Sequence, residues 1–168
     1  MKEKIAIYPG TFDPVTNGHI HIIERSVKVF DKVIVAVAND NYKATIFSTK
    51  ERVELLKECF KDEPKVEIDI FSGLVTEYSV KKDAIALIRG LRAISDFEYE
   101  MQMAAMNRTL NKDLETIFLM TDAKYSFISS TLIKKVACLG GDVDTLVPKI
   151  VREYLEVKYR KEPKYHGE

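Results

Sequence analysis

Tyr8-Pro9-Gly10-Thr11-Phe12-Asp13-Pro14-Val15-Thr16-Asn17-Gly18-His19 is the stretch whose reading decides the fold. The alternating apolar run Ile5-Ala6-Ile7-Tyr8 leads into it and an amphipathic run beginning at His19 and Ile20 leaves it, so it reads as a loop from a first strand into a first helix. Such turns are where α/β proteins put their chemistry. Two prolines and two glycines let the backbone approach a ligand closely, and Asn17 is placed to cap a helix whose first amides, beside Gly18 and His19, point at a bound anion. A phosphate site is expected here.

Outward from that loop, Ile20, Ile23, Val27 and Phe30 recur at helical spacing until Asp31-Lys32 breaks the pattern. The run Val33 to Ala38 is continuously apolar, as in a parallel strand covered on both faces, and completes a βαβ unit with a right-handed crossover. Asn39-Asp40-Asn41-Tyr42-Lys43 then forms a polar loop at the carboxyl end of this second strand. A capping box, Ser48-Thr49-Lys50-Glu51, opens a helix that carries Val53, Leu55, Leu56 and Phe60 and that Pro64 closes. Val66 to Ile70 alternates like a strand, Val75 to Lys82 makes a short helix, and Ala84 to Ile88 is a fourth strand running into Arg89-Gly90-Leu91-Arg92. A second capping box, Ser95-Asp96-Phe97-Glu98, starts a long helix to about Leu110. Thr116 to Met120 is a fifth strand, Ser129-Ser130-Thr131 caps a helix that ends at Gly140-Gly141, and Pro148 fits the first turn of the last helix. The order predicts an α/β fold: a doubly wound, Rossmann-like parallel sheet of about five strands with helices on both faces, with residues 1–168 forming one domain.

The chain of 168 residues carries 26 Lys plus Arg and 26 Asp plus Glu, so no basic field recommends a nucleic acid as partner. The local cluster Lys158-Tyr159-Arg160-Lys161 reads as a solvated helix end, where cations oppose the negative end of the dipole. Cys59 and Cys138 lie within helical apolar patterns and belong to no CxxC or Cys/His cluster, which predicts buried thiols in a reducing compartment rather than metal ligands. No apolar run approaches a membrane span, and Met1-Lys2-Glu3-Lys4 leads straight into a strand, so a cytoplasmic protein without membrane partners is expected.

Four clusters follow the carboxyl ends of predicted strands: Thr11 to His19, Asn39 to Lys43, Arg89 to Arg92, and Tyr125 to Thr131. In an open parallel sheet these ends converge on one crevice. Two arginines, a lysine, a histidine, several hydroxyls and two helix N-termini suit a substrate with several phosphates. Neither a Walker A lysine nor a GxGxxG is present, which removes the usual support for a P-loop NTPase or a dinucleotide dehydrogenase. His19 and His21, two apart on a helix, point away from one another, so His21 reads as an ordinary helix residue and not as half of a metal pair. Met101, Met103 and Met106 read as core or subunit-interface packing.

Thr16-Asn17-Gly18-His19 resembles the (H/T)xGH motif of the nucleotidylyltransferase superfamily. The Tyr-Pro-Gly-Thr-Phe-Asp-Pro block resembles the bacterial phosphopantetheine adenylyltransferases, as do Leu87 to Arg92, Asp96 to Met101 and Tyr125 to Thr131, so the likeness spans nearly the whole chain. That resemblance implies transfer of the adenylyl group of ATP to 4′-phosphopantetheine, with Mg²⁺ held mainly by the ATP phosphates and not by protein side chains. It implies ATP contacts from Thr11, Phe12, His19, Gly90, Leu91, Arg92, Glu100, Tyr125, Ser126, Phe127, Ile128, Ser129, Ser130 and Thr131. It implies acceptor contacts from Thr11, Lys43, Val75 and Arg89, with His19 stabilising the transition state. A homo-hexamer and feedback inhibition by coenzyme A are implied as well. Lys134 stands where the superfamily often has arginine, and Tyr125 where tryptophan is common; the first keeps the charge but loses the bidentate fork, the second keeps an aromatic ring. The alternatives are transfer to another phosphorylated acceptor, such as nicotinate mononucleotide or glycerol phosphate, and a nucleotide-binding module without turnover.

Overall fold

The computed structural model describes residues 3–39, 44–92 and 94–160, with residues 94–96 described by their backbone alone. Among the described residues the elements run β1 (Ile5–Gly10), α1 (Asn17–Ser26), β2 (Lys32–Ala38), α2 (Thr49–Cys59), β3 (Val66–Phe71), α3 (Val75–Lys81), β4 (Ala86–Leu91), α4 (Ile94–Leu110), β5 (Glu115–Met120), α5 (Ser130–Cys138) and α6 (Lys149–Arg160). The strands form one parallel sheet in the order β3-β2-β1-β4-β5. The predicted five-stranded, Rossmann-like architecture is the observed one.

Alternation along each strand sorts the two layers. Tyr8, Val33, Val35, Val37 and Ile88 face a large core with Ile22 and Ile23 of α1, Leu55 and Leu56 of α2, Ile133 of α5 and Leu155 of α6. Ile7, Ile34, Ala36 and Leu87 face a smaller core closed by Tyr78 of α3 and by Leu114. On that second face α4 reaches the sheet through Phe97, whose ring meets Phe118 at 6.0 Å. Full burial of β1 and β2 on both faces explains their unbroken apolar runs, and most of the stabilisation lies there.

A buried carboxylate is built into this frame. Asp13 is 3% exposed, and its carboxylate accepts the amides of Ile46 and Phe47 at 3.1 and 2.9 Å and Lys134 Nζ at 2.6 Å. It pins the β1 exit loop to the segment before α2 and to α5 at once. A carboxylate buried this deeply is tolerated because three donors replace its water.

Several expectations need correction. Thr16, not Asn17, is the N-cap of α1: its side chain accepts the His19 amide, while Asn17 is already helical and donates to the carbonyl of Thr145. α1 stops at Ser26, where the Ser26 hydroxyl bonds back to the Ile22 carbonyl, so the helix does not run to Phe30. β4 begins at Ala86, since Ala84 and Ile85 precede its ladder and Ile85 is 40% exposed. α4 already includes Ile94, so Ser95 is inside the helix and is not its cap. Cys138 is exposed rather than buried. Met101, Met103 and Met106 are exposed as well, which excludes the core reading for them. The Ser48 capping box and the Ser129 cap are as predicted. Among the described residues no helix is long and apolar enough to cross a membrane.

Candidate functional site

The site begins where two strands stop pairing. β1 and β4 are joined only at Ala6↔Ala86 and Ile7↔Leu87, although β1 runs on to Gly10 and β4 to Leu91. Beyond that point the chain leaves β1 towards α1 on one face and leaves β4 towards α4 on the other, so the strand ends diverge. This is the topological switch point of an open parallel sheet. A cleft of about 630 Å³ opens there, lined by residues from four exits: Pro9 to Phe12, Gly73 to Val75, Arg89 with Gly90 and Arg92, and Ile128 to Thr131. Its volume suits a ligand of cofactor size.

On the β1 side, Phe12 adopts a left-handed backbone with φ of 51°. Its ring is held edge-on to Tyr8 at 5.5 Å and to His19 at 5.2 Å, packing that offsets a conformational cost of about 1–2 kcal/mol. Gly10 is needed for this fold-back, because a Cβ there would lie 2.9 Å from the Phe12 ring. Gly90 is a second tight position: a Cβ would lie 3.2 Å from Ile22 and 3.4 Å from the Tyr8 hydroxyl, so those side chains would have to shift slightly to admit one.

His19 closes the first turn of α1 in a reciprocal cap. The Thr16 side chain accepts the His19 amide, and the Thr16 N–H donates to His19 Nδ1 at 3.1 Å. With Nδ1 accepting, the ring proton sits on Nε2, which leaves that N–H as the ring's donor on a residue lining the cleft. Burial, and secondarily the positive charge of Arg92, hold the imidazole pKa down to about 4. At neutral pH His19 is thus an uncharged hydrogen-bond donor, not a cation. The helix start is partly used already, since the Asn17 amide donates to the Leu146 carbonyl at 3.0 Å.

On the β4 side, Arg89 makes a two-pronged ion pair with Glu100 of α4, Nε and Nη2 each 2.6 Å from a carboxylate oxygen, and Nη1 reaches the Pro9 carbonyl at 3.3 Å. This side chain spans the gap where the β1–β4 ladder has ended. Burial works against its charge, but the Glu100 carboxylate outweighs it and raises the guanidinium pKa further. Burial likewise pushes the Tyr8 phenol upward, partly offset by Arg89, so Tyr8 stays a neutral hydroxyl. Arg92 Nη1 donates to the Ile128 carbonyl at 3.3 Å, linking the β4 exit to the loop before α5. Ser130 Oγ donates to the Pro14 carbonyl at 2.7 Å and closes the ring of exits.

The structure brings Thr11, Phe12, His19, Val75, Arg89, Gly90, Arg92, Glu100, Tyr125 and Ile128 to Thr131 to one cleft. Leu91, Ser126 and Phe127 lie outside its lining: Leu91 is buried, Phe127 is exposed, and the Ser126 hydroxyl is turned to the Ala123 carbonyl. Lys43 is outside the described residues. Tyr8, Tyr99 and Asn107 also line the cleft. Tyr8 and Tyr99 lie within stretches that the sequence singles out but were given no role in binding, and nothing local marks Asn107.

Residues 7–136 match the family model described as cytidylyltransferase-like. The chain is 54% identical over 156 residues to a phosphopantetheine adenylyltransferase of Moorella thermoacetica, covering 93% of this chain and 98% of that one. It is 55% identical over 158 residues to a phosphopantetheine adenylyltransferase of Caldanaerobacter subterraneus subsp. tengcongensis, covering 94% and 99%. The backbone is also similar to a solved structure from Vibrio parahaemolyticus, assigned as a nicotinate-nucleotide adenylyltransferase, with a TM-score of 0.66 and 19% identity over 92% of this chain and 99% of that one. At that identity the likeness is one of fold alone.

The depressed pKa of His19 has a stability consequence. Between the ordinary value of 6.5 and about 4, the unfolded chain holds the proton more readily than the folded one, so this residue's contribution is complete above pH 6.5 and drains away as pH falls toward 4. Partial access to solvent limits the loss to on the order of 2 kcal/mol. The urea midpoint of the unmodified protein is expected to fall more steeply over this window than that of His19→Gln; parallel profiles would show that the histidine's burial has no such effect.

Proposed function

The chain belongs to the cytidylyltransferase-like family and, within it, to the phosphopantetheine adenylyltransferases, and on that premise we propose how its cleft carries out the transfer. The chain is a nucleotidyltransferase that moves the adenylyl group of ATP to 4′-phosphopantetheine, reversibly, giving dephospho-coenzyme A and pyrophosphate. Identity above one half with relatives of that name, end to end, is the observation that carries this assignment.

In the reaction an oxygen of the acceptor phosphate forms a bond to the α-phosphorus of ATP, the bond to the bridging oxygen breaks, and pyrophosphate leaves with the electron pair. The acceptor is already ionised, so no serine, cysteine or general base is required. Two anions must instead be held in line while charge spreads over the α-phosphoryl oxygens. His19 Nε2–H serves as the donor to that group, acting by hydrogen bond rather than by formal charge. Arg92, Gly90, Glu100, Phe12, Tyr125 and the segment Ile128 to Thr131 flank ATP; Thr11, Val75, Lys43 and Arg89 receive the acceptor. Glu100, the carboxylate that lines the cleft, is taken by Arg89, which suits a Mg²⁺ ion held by the triphosphate. When bound, such an ion would supply charge neutralisation to the departing pyrophosphate.

Pyrophosphate release is expected with ATP and phosphopantetheine and not with nicotinate mononucleotide, and added coenzyme A, which carries both halves of the product, should slow it. Release with nicotinate mononucleotide alone would reassign the acceptor, and ATP binding without any turnover would make the chain a binding module. For His19 the informative variant is His19→Gln, because glutamine can keep the reciprocal cap of α1. Loss of a transition-state donor amounts to roughly 3 kcal/mol, so turnover should drop on the order of a hundredfold. Calorimetric ATP affinity should stay within about twofold; unaltered turnover would exclude the role.

We also infer a homo-hexamer assembled through α4. Tyr99, Met101 and Met106 are 63%, 47% and 56% exposed, and neighbouring Met120 ends β5, an edge strand of the sheet. Apolar side chains at this density on one helix and one open edge favour burial against another subunit. Light scattering at micromolar concentration should give six times the 19.2 kDa chain mass; a monomer would overturn the assembly.

A further inference from the structure

Arg52 belongs to α2 and lies outside the cleft, yet it is 3% exposed. Its Nη1 donates to the carbonyl of Thr11, just past β1, at 2.7 Å, and to the carbonyl of Ala38, the last residue of β2, at 3.0 Å. Nη2 donates to Thr49 Oγ1 at 2.9 Å, and that hydroxyl in turn donates to Asn39 Oδ1 at 2.8 Å. Asn39 is further held by its own amide, which donates to the Phe71 carbonyl at the end of β3 at 2.9 Å.

A buried guanidinium is costly unless its donors are met, and an apolar side chain would fill the same space without that requirement. What the guanidinium adds is direction. One nitrogen of the rigid guanidinium, Nη1, donates to both carbonyls and so fixes them relative to each other, and those carbonyls sit where the first and second strands leave the sheet. One exit carries Thr11 into the cleft. The other leaves from Ala38, which lines the same cleft.

We propose that Arg52 is a positioning residue for the transfer, setting the spacing between Thr11 and Ala38, with Asn39 beside it, so that the acceptor phosphate meets a preformed edge. This rests on the assignment of Thr11 to the acceptor. Most of the residues assigned to ATP, Gly90, Arg92, Glu100 and Ile128 to Thr131, lie at the end of β4 or follow β4 and β5 and are not touched by Arg52 in these bonds, so its loss should fall chiefly on the acceptor.

Two variants test this in steady-state assays of the full chain. Asn39→Ala cuts the outer arm without disturbing the bonds of Arg52 to the two carbonyls, and should raise the KM for phosphopantetheine about fivefold, with the KM for ATP and the unfolding midpoint unchanged. Arg52→Ala should lower kcat/KM for the acceptor on the order of a hundredfold, with about tenfold recovered on adding guanidinium ion but not sodium chloride of equal ionic strength. Equal shifts in both Michaelis constants, or reduced thermal stability with unaltered kinetics, would overturn the proposal. If Arg52→Ala does not fold, Asn39→Ala decides alone. Unmodified protein that fails to turn over phosphopantetheine overturns the reading of the cleft; turnover with unaltered acceptor constants in the variants overturns only the role of Arg52.

Discussion

The cleft exists because a parallel ladder ends early. β1 and β4 share two residue pairs and then separate, whereas β1 and β2 stay paired from Ile5↔Lys32 to Gly10↔Val37. The divergence follows from helices placed on opposite faces of neighbouring strands, which no side chain can reverse without changing the topology. Every other feature of the site answers to it. Arg89 reaches across to Pro9 where the ladder has stopped, Phe12 folds over Gly10 to close the bottom, and Asp13 ties the loop down to α2 and α5. The catalytic geometry is thus held by a frame whose energy comes from burying β1 and β2 on both faces, and little of that burial depends on the cleft itself.

The electrostatics follow a consistent rule among the described residues: charge near the cleft is placed with a partner. Arg89 has Glu100, Lys134 has Asp13, and Arg52 has backbone carbonyls. The residue at the centre, His19, is kept uncharged by burial and by a nearby arginine. A neutral imidazole with a fixed tautomer presents one directed donor and needs no counter-ion. That arrangement suits a reaction between anions better than a mobile proton would, since a protonated ring could lose its proton to the acceptor phosphate and leave the donor position empty.

The layers and the strand order were legible in the sequence because doubly buried strands and helical periodicity leave strong local patterns. The strand exits were legible too, as polar or glycine-rich breaks after apolar runs. What failed to show was contact at a distance. Thr16 took the cap from Asn17 because histidine served as the reciprocal partner, a role usually written with glutamate or glutamine. Glu100 entered only as an ATP contact implied by resemblance, because Arg89, eleven positions away on a strand, cannot be seen as its partner in a linear reading. Asp13 and Lys134 meet across a separation of 121 positions. Arg52 carried no signal at all, since an arginine inside a charged helix start reads as surface until its donors are traced to Thr11 and Ala38. Side-chain identity gave the chemistry available, and only the fold gave the pairing.

The ion pair of Arg89 with Glu100 bears on how a substrate arrives. An unpaired guanidinium acts on a distant phosphate as a monopole, but one clasped by a carboxylate presents a dipole whose field decays faster with distance and is screened sooner by salt. On a chain with equal numbers of acidic and basic residues, Arg89 adds little guidance during diffusion. In the acceptor role proposed for it, Arg89 acts at contact, when an incoming anion and the Glu100 carboxylate share the same fork of donors. On that reading the pair sorts among molecules that have already collided with the cleft, and leaves the frequency of collision to concentration.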